Sequence, residues 1–165
     1  MDQAYLLIGG NEGDRVAFLD RATVLIEAEC GRIRRRSSVY ETAAWGYRQQ
    51  GDFLNQVLLL ETGLEPSALL VRLLDIEKRM GRMRGERNGP RTIDIDILLY
   101  GDRVVDLPDL ALPHPRMASR RFTLVPLTEI APSLRHPVSG KTMQRLLLEC
   151  PDDLPVRKYS TAVKK

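Results

Sequence analysis

Residues Gly89 to Asp102 read "GPRTIDIDILLYGD". With a period of two this is a β-strand. Ile93, Ile95, Ile97 and Leu99 project to one side, and Thr92, Asp94, Asp96, Leu98 and Tyr100 to the other. Asp94 and Asp96 thus share one face of an otherwise apolar strand, with attachment points about 6.5–7 Å apart. Each carboxylate is penalised by burial and by its neighbour. Alone, the pair is a weak signal, because a strand with a solvated acidic face reads the same way. The loop feeding the strand shifts the balance. It carries Arg82, Arg84, Arg87 and Arg91, spaced among Gly81, Gly85 and Gly89. Two carboxylates able to converge on divalent cations, beside a set of guanidinium groups, have the chemistry of a polyphosphate site. Mg²⁺ suits so small a set of hard oxygen ligands, since it keeps several waters and takes further oxygens from phosphate. The arginines would offset the charge that spreads over a phosphoryl group in transfer.

Before this strand, "QAYLLIG" (residues 3–9) reads as a strand and "GNEGD" as a turn. A helix follows over residues 14–29, with Leu19, Ala22 and Ile26 on one stripe, Phe18 and Leu25 beside it, and Gly31 as its stop. Residues 32–42 are extended, and the Arg34 to Arg36 run marks a solvated edge. Residues 43–52 form a loop rich in aromatics, and residues 53–62 an apolar strand. Pro66 opens a second helix, in which Leu69, Leu73, Ile76 and Met80 recur at helical spacing up to Gly81. After the acidic strand, "RVVDLPDLALPHPRM" reads as irregular. A third helical region near 120–130 is interrupted at Pro126, and residues 142–149 form a short helix. The order is βαββαβ followed by additions, which builds an antiparallel sheet with helices on one face. The expectation is a single domain over residues 1–150 and a flexible tail over 151–165 that lacks a hydrophobic pattern.

The chain of 165 residues suits one domain, and no apolar run approaches the roughly 18 residues of a membrane span. Its first residues, "MDQAYLLIGG", lack the basic start of a secretory signal. Cys30 and Cys150 make no metal-ligand spacing, so a reduced, cytoplasmic protein is expected. The net charge is +3, and 20 of the 25 basic residues are arginine, which favours a polyanionic ligand, either nucleotide or nucleic acid. An arginine-rich proteome would produce the same bias. Neither a P-loop nor a dinucleotide fingerprint occurs, and no Ser/His/Asp set can be assembled. Trp45 and Tyr47 lie in the aromatic loop. Phe53 and Phe122, from distant segments, could hold a flat heteroaromatic ring between them. Asn55, on the strand face of Phe53, could read a donor and acceptor edge of such a ring. His114, between two prolines, is a lone histidine and a weak candidate for proton transfer.

Taken together, "GPRTIDIDILLYG" resembles the signature of the 6-hydroxymethyl-7,8-dihydropterin pyrophosphokinase family of folate biosynthesis. "YLLIGGNEGD", "SSVYETAAWG", "DFLNQVLLLET" and "LPHPRMASRRFTLVPLTEIAP" resemble further blocks of that family in the same order, over about residues 4–148. The resemblance implies a ferredoxin-like α+β fold. It implies transfer of pyrophosphate from ATP to the hydroxymethyl group of the pterin, with release of AMP, by a monomer. By motif match, Asp94 and Asp96 would hold two Mg²⁺ ions. Arg82 and Arg91 would stabilise the group in transfer. Glu77, Arg84, Arg87, Ile97, His114 and Arg120 match positions at or near ATP. Thr42, Ala43, Trp45, Gly46, Phe53, Asn55 and Phe122 match the pterin site. Asn88, Leu74 and Pro115 depart from residues common in the family. Two other classes remain alternatives: a nucleic-acid-binding module and a catalytically silent regulatory domain of the same fold. The first lacks the aromatic strand motif that RNA-binding sheets of this plan use.

Overall fold

Two helices form where the apolar spacing places them. Asp14 caps α1 (Arg15–Glu29), its side chain accepting from Ala17 N at 3.1 Å. Gly31, at φ +155°, ends the turn where a Cβ would lie 2.1 Å from the Glu61 carbonyl oxygen. Pro66 is the first residue of α2 (Pro66–Arg79). In this computed structural model, residues 1–43, 52–81 and 92–160 are described.

The central sheet is antiparallel. Its order is β5 (Asp94–Tyr100), β1 (Asp2–Gly10), β4 (Phe53–Thr62), β3 (Tyr40–Thr42) and β8 (Val156–Lys158), with β2 (Arg32–Arg36) also paired to β4. The segment read as one extended stretch over 32–42 is thus two short strands on the same neighbour. With α1 and α2 this is the ferredoxin-like α+β plan.

Alternate residues of the same strands serve two layers. Ala4, Leu6, Ile8, Leu54, Leu58, Leu60, Ile95 and Ile97 pack on one face with Leu19, Ile26, Leu69, Leu73 and Ile76 of α1 and α2. Each such side chain, fully removed from water, contributes on the order of 2 kcal/mol. Tyr5, Leu7, Val57 and Leu59 face the other way. There they meet Leu124 and Leu127 of α3 (Arg121–Ile130), and Met143 and Leu146 of α4 (Met143–Leu148). The C-terminal additions are therefore a second helical layer, not an appendage to a one-sided sheet.

Four local expectations need correction. The strict alternation over β5 fails beyond Ile97. Leu6 pairs with Ile97 but Tyr5 pairs with Leu99, so Leu98 is an extra residue, a β-bulge. Leu98 and Leu99 both join the α3 layer, and Tyr100 flips into the α1/α2 core, the reverse of the expected sides for Leu99 and Tyr100. The stretch read as irregular forms a hairpin, β6 (Val105–Leu107) and β7 (Leu110–Leu112), turning at Pro108–Asp109, where proline donates nothing to the ladder. Helix α3 runs through Pro126, whose burial with Leu124 and Leu127 against the sheet offsets the roughly 3 kcal/mol an interior proline costs. The tail contains β8, held by main-chain pairing with β3.

Candidate active site

The sheet face that α3 and α4 cover turns polar towards one end, and the register explains the arrangement. Gly9 of β1 lies opposite Asn55 of β4 on one side and Asp94 of β5 on the other. The next inward-facing row is Asp96 and Leu7. Phe53 lies opposite Thr42, further along the same face. Above this floor sits the segment running from His114 through the 3₁₀ turn Met117–Ser119 into the start of α3. The His114 amide ties it down, donating to the Leu98 carbonyl at 2.8 Å. Between the two lies a cavity of about 680 Å³. Thr42, Ala43, Phe53 and Asn55 line one side, Asp94 and Asp96 the floor, and His114, Arg120 and Phe122 the roof.

Gly9 is required by this packing. A Cβ there would stand 2.1 Å from Asn55 Oδ1 and 2.7 Å from the Leu54 carbonyl oxygen. Its missing side chain is the space into which the Asn55 amide turns. Thr42 Oγ1 is buried and, among the described residues, has no hydrogen-bond partner. Such a group costs free energy unless a ligand engages it. Asn55 is buried as well. One wall is thus polar and preformed, and Phe53 and Phe122 supply apolar surface beside it.

The opposite part of the cavity is electrostatic. The Arg120 guanidinium lies 5.5 Å from the centre of the Phe122 ring. Burial, then repulsion from Arg116, destabilises its charged form, and the Asp96 and Asp94 carboxylates oppose that shift. Arg120 therefore faces the aspartate pair. His114 is driven down to about 4 by burial, with Arg120 and Arg116 adding to the effect, so its ring is neutral near pH 7. Its Nδ1 accepts from the Arg116 amide at 3.1 Å, which puts the ring proton on Nε2.

Not every residue suggested by the sequence reaches the cavity. Ile97 is buried in the α1/α2 core, on the other side of β5 from Asp96. Glu77 is buried on α2, and its Oε2 accepts from the Ile95 amide at 2.6 Å, between the two aspartates along the chain. It holds the strand in place from below and does not line the cavity. Leu74 is half-buried on the same helix. Pro115 lines the cavity. Arg82, Arg84, Arg87, Asn88, Arg91, Trp45 and Gly46 lie outside the described residues.

Sequence reasoning missed Gly9, Leu7, Arg116 and Ser119, which also line the cavity. Period-two reading of β1 puts Leu7 and Gly9 on one face, but only the pairing register sets Gly9 between Asn55 and Asp94. No sequence signal singled out Arg116. Among the described residues no helix is long and apolar enough to cross a membrane.

Comparison with known proteins identifies the family. The family described as 7,8-dihydro-6-hydroxymethylpterin-pyrophosphokinase matches residues 5–132. A 2-amino-4-hydroxy-6-hydroxymethyldihydropteridine pyrophosphokinase of Aquifex aeolicus is 43% identical over 144 residues, covering 87% of this chain and 89% of its own. The enzyme of that name from Bacillus subtilis is 42% identical over 128 residues, 77% of each chain. Among solved structures, a wild-type Plasmodium falciparum HPPK-DHPS with pterin and p-hydroxybenzoate superposes with a TM-score of 0.74 at 19% identity. That match covers 90% of this chain and 41% of the other, and shows a common fold. With the matched profile spanning most of its length and relatives of 42–43% identity covered over 77–89% of their own length, the chain belongs to the 7,8-dihydro-6-hydroxymethylpterin-pyrophosphokinase family.

Proposed function

We propose that the cavity between the polar end of the sheet and the start of α3 is where this chain carries out its reaction. As a member of its family the chain is an ATP-dependent pyrophosphokinase, which moves pyrophosphate from ATP to the hydroxymethyl group of 6-hydroxymethyl-7,8-dihydropterin. One observation carries the assignment of the site. A carboxylate pair, a facing arginine, a buried amide and two phenylalanines line a single cavity.

In this reading the pterin lies between Phe53 and Phe122. Asn55 and the unpartnered Thr42 hydroxyl engage the polar edge of its ring. The triphosphate lies over Asp94 and Asp96. Two carboxylates on one strand face are an incomplete ligand set for a metal, as expected where phosphate and water complete the shell. Among the described residues no group of three or more carboxylate, imidazole or thiolate side chains forms a fuller one. The donor set thus fits two Mg²⁺ ions shared with ATP. Mg²⁺ bound there would neutralise the phosphate oxygens and fix them for in-line attack.

The remaining work falls to the chain. Arg120, already facing the carboxylates, would bind phosphate oxygens, and Arg82 and Arg91 are assigned the charge that spreads in the transition state. His114, neutral with its proton on Nε2, would donate a hydrogen bond to the nucleotide and transfer no proton near pH 7. The preformed wall lowers the cost of orienting the attacking hydroxyl. The two free cysteines, Cys30 buried and Cys150 half-buried, favour a reducing cytoplasm.

Calorimetry tests the site. A non-hydrolysable ATP analogue with Mg²⁺ should bind first, and the pterin should then bind to that complex. Asp94→Ala should abolish the Mg²⁺ dependence of the first step, and Asn55→Ala should weaken the second alone. Unchanged titrations in both variants would place the reaction elsewhere.

A further inference from the structure

The residues after α4 touch both walls of the pterin slot. At one end, Asp152 Oδ2 accepts from the Arg121 amide at 3.0 Å, and Oδ1 accepts from the Leu154 amide at 3.0 Å. Arg121 is the first residue of α3, and Arg120, the residue before it, offers no side-chain cap. Asp152 therefore supplies from outside the acceptor and the negative charge that this helix start lacks. Arg120 and Phe122, on either side of the capped amide, both line the cavity.

Four residues later the chain enters β8, where Val156 pairs with Thr42 and Arg157 with Glu41. The Tyr159 amide then donates to the Val39 carbonyl at 2.8 Å. Side chains extend the attachment. Arg157 lies 3.6 Å from Glu41 and 3.7 Å from Asp52. Arg15 bonds Glu41 Oε2 at 2.9 Å and the Asp52 carbonyl oxygen at 2.8 Å, with its guanidinium 5.4 Å from the Tyr159 ring centre. Thr42 and Phe53 of the opposite wall are the residues beside Glu41 and Asp52.

We propose that residues 152–159 act as a strap that sets the separation of the two walls, and so positions Phe122 against Phe53 for the flat heterocycle. Asp152 is the main positioning residue and Arg157 a lesser one. Neither touches substrate. The inference rests on the reading that Phe53 and Phe122 hold the pterin. The strap acts on pterin affinity more than on nucleotide affinity. It holds Phe122 from the capped helix start and Thr42 and Phe53 from β8, whereas of the nucleotide groups only Arg120 adjoins the cap, and the carboxylates stand on β5, with which β8 makes no pairing.

The test uses the full chain with Mg²⁺ and a non-hydrolysable ATP analogue. It measures the dissociation constants of the analogue and of 6-hydroxymethyl-7,8-dihydropterin separately, together with thermal melts. Asp152→Ala should raise the pterin constant about fivefold, as for loss of a helix cap that also misplaces a wall. The nucleotide constant should stay within about twofold. Asp152→Asn, whose single amide oxygen can keep only one of the two acceptor bonds and which lacks the charge, should recover part of the loss. Arg157→Ala should shift the pterin constant in the same direction by less. If Asp152→Ala does not fold, Arg157→Ala carries the comparison, since the Arg157 side chain is largely exposed and its truncation leaves the main-chain pairing of β8 intact. Equal loss of both ligands would mark the segment as general scaffolding and overturn the proposal. So would unchanged pterin binding in Asp152→Ala while Phe122→Ala loses the pterin. Should Phe122→Ala itself bind pterin normally, the slot reading fails and the strap with it.

Discussion

The two faces of the central sheet are made from alternate residues of the same three strands, yet they are built for opposite ends. Ile8, Leu54 and Ile95 face α1 and α2 in a continuous apolar layer. Their neighbours in sequence, Gly9, Asn55 and Asp94, form a row of a missing side chain, a buried amide and a carboxylate on the other face. The first row lowers the free energy of the fold. The second gives up apolar burial to keep a cavity open and polar. A site of this kind needs no separate domain. It needs an α3 layer that covers the sheet only as far as Leu7 and Val57, and a rigid helix face behind the strands to hold them in register.

That contrast can be broken from either side. Removing a carboxylate should give the largest effect. Asp94→Ala and Asp96→Ala should each lower kcat by about 10³-fold or more while the melting temperature changes little, because a metal and phosphate seat is lost without loss of core packing. On the opposite face, Leu58→Ala should do the reverse. It should cost about 3 kcal/mol in urea unfolding, as for a fully buried leucine, with kcat nearly unchanged in the protein that remains folded.

The third prediction concerns pH. His114 falls to about 4 in the folded chain from an ordinary 6.5, so the unfolded chain takes up its proton first as pH drops. Its contribution to stability is complete above pH 6.5 and is lost progressively as pH falls through 4. The whole span amounts to roughly 3 kcal/mol by linkage. Denaturation of wild type and His114→Gln between pH 7.5 and 4 should show this extra slope in the wild type only. The ratio of their turnover rates should stay flat from pH 6 to 8.

Within the polar row itself, the smallest effect is expected at Gly9. Gly9→Ala should displace the Asn55 amide and press on the Leu54 carbonyl, raising the pterin KM about tenfold and lowering the melting temperature, with less change in nucleotide affinity. Equal weakening of both substrates would show that the row is structural throughout.

Much of the helix face was legible in the sequence, because strand alternation and helical spacing report burial directly. Leu19 and Ile26 of α1, and Leu69, Leu73 and Ile76 of α2, fall where their stripes place them. The acidic pair was legible too, since two-residue spacing on a strand places both side chains on one side. The phase beyond Ile97 was not. The bulge at Leu98 is set by the pairing of β5 with β1, and one extra residue exchanges the sides of everything after it. Strand β8 left no pattern because main-chain pairing holds it, with Arg157 and Lys158 exposed. Glu77 matched a nucleotide position in the family, yet it sits beneath the strand bonding the Ile95 amide, a role visible only once α2 is docked. Gly9 carried no signal because its meaning lies in what stands across the sheet from it.

The central claim is that Asp94 and Asp96 seat the divalent cations of a pyrophosphoryl transfer. Counting Mn²⁺ bound per chain by electron paramagnetic resonance, in the presence of a saturating non-hydrolysable ATP analogue, tests it most directly. The wild-type chain should hold two Mn²⁺ ions with the analogue. Asp94→Ala and Asp96→Ala should each hold fewer or bind them far more weakly, with an unchanged melting temperature. Full Mn²⁺ occupancy at wild-type affinity in both variants would contradict the account.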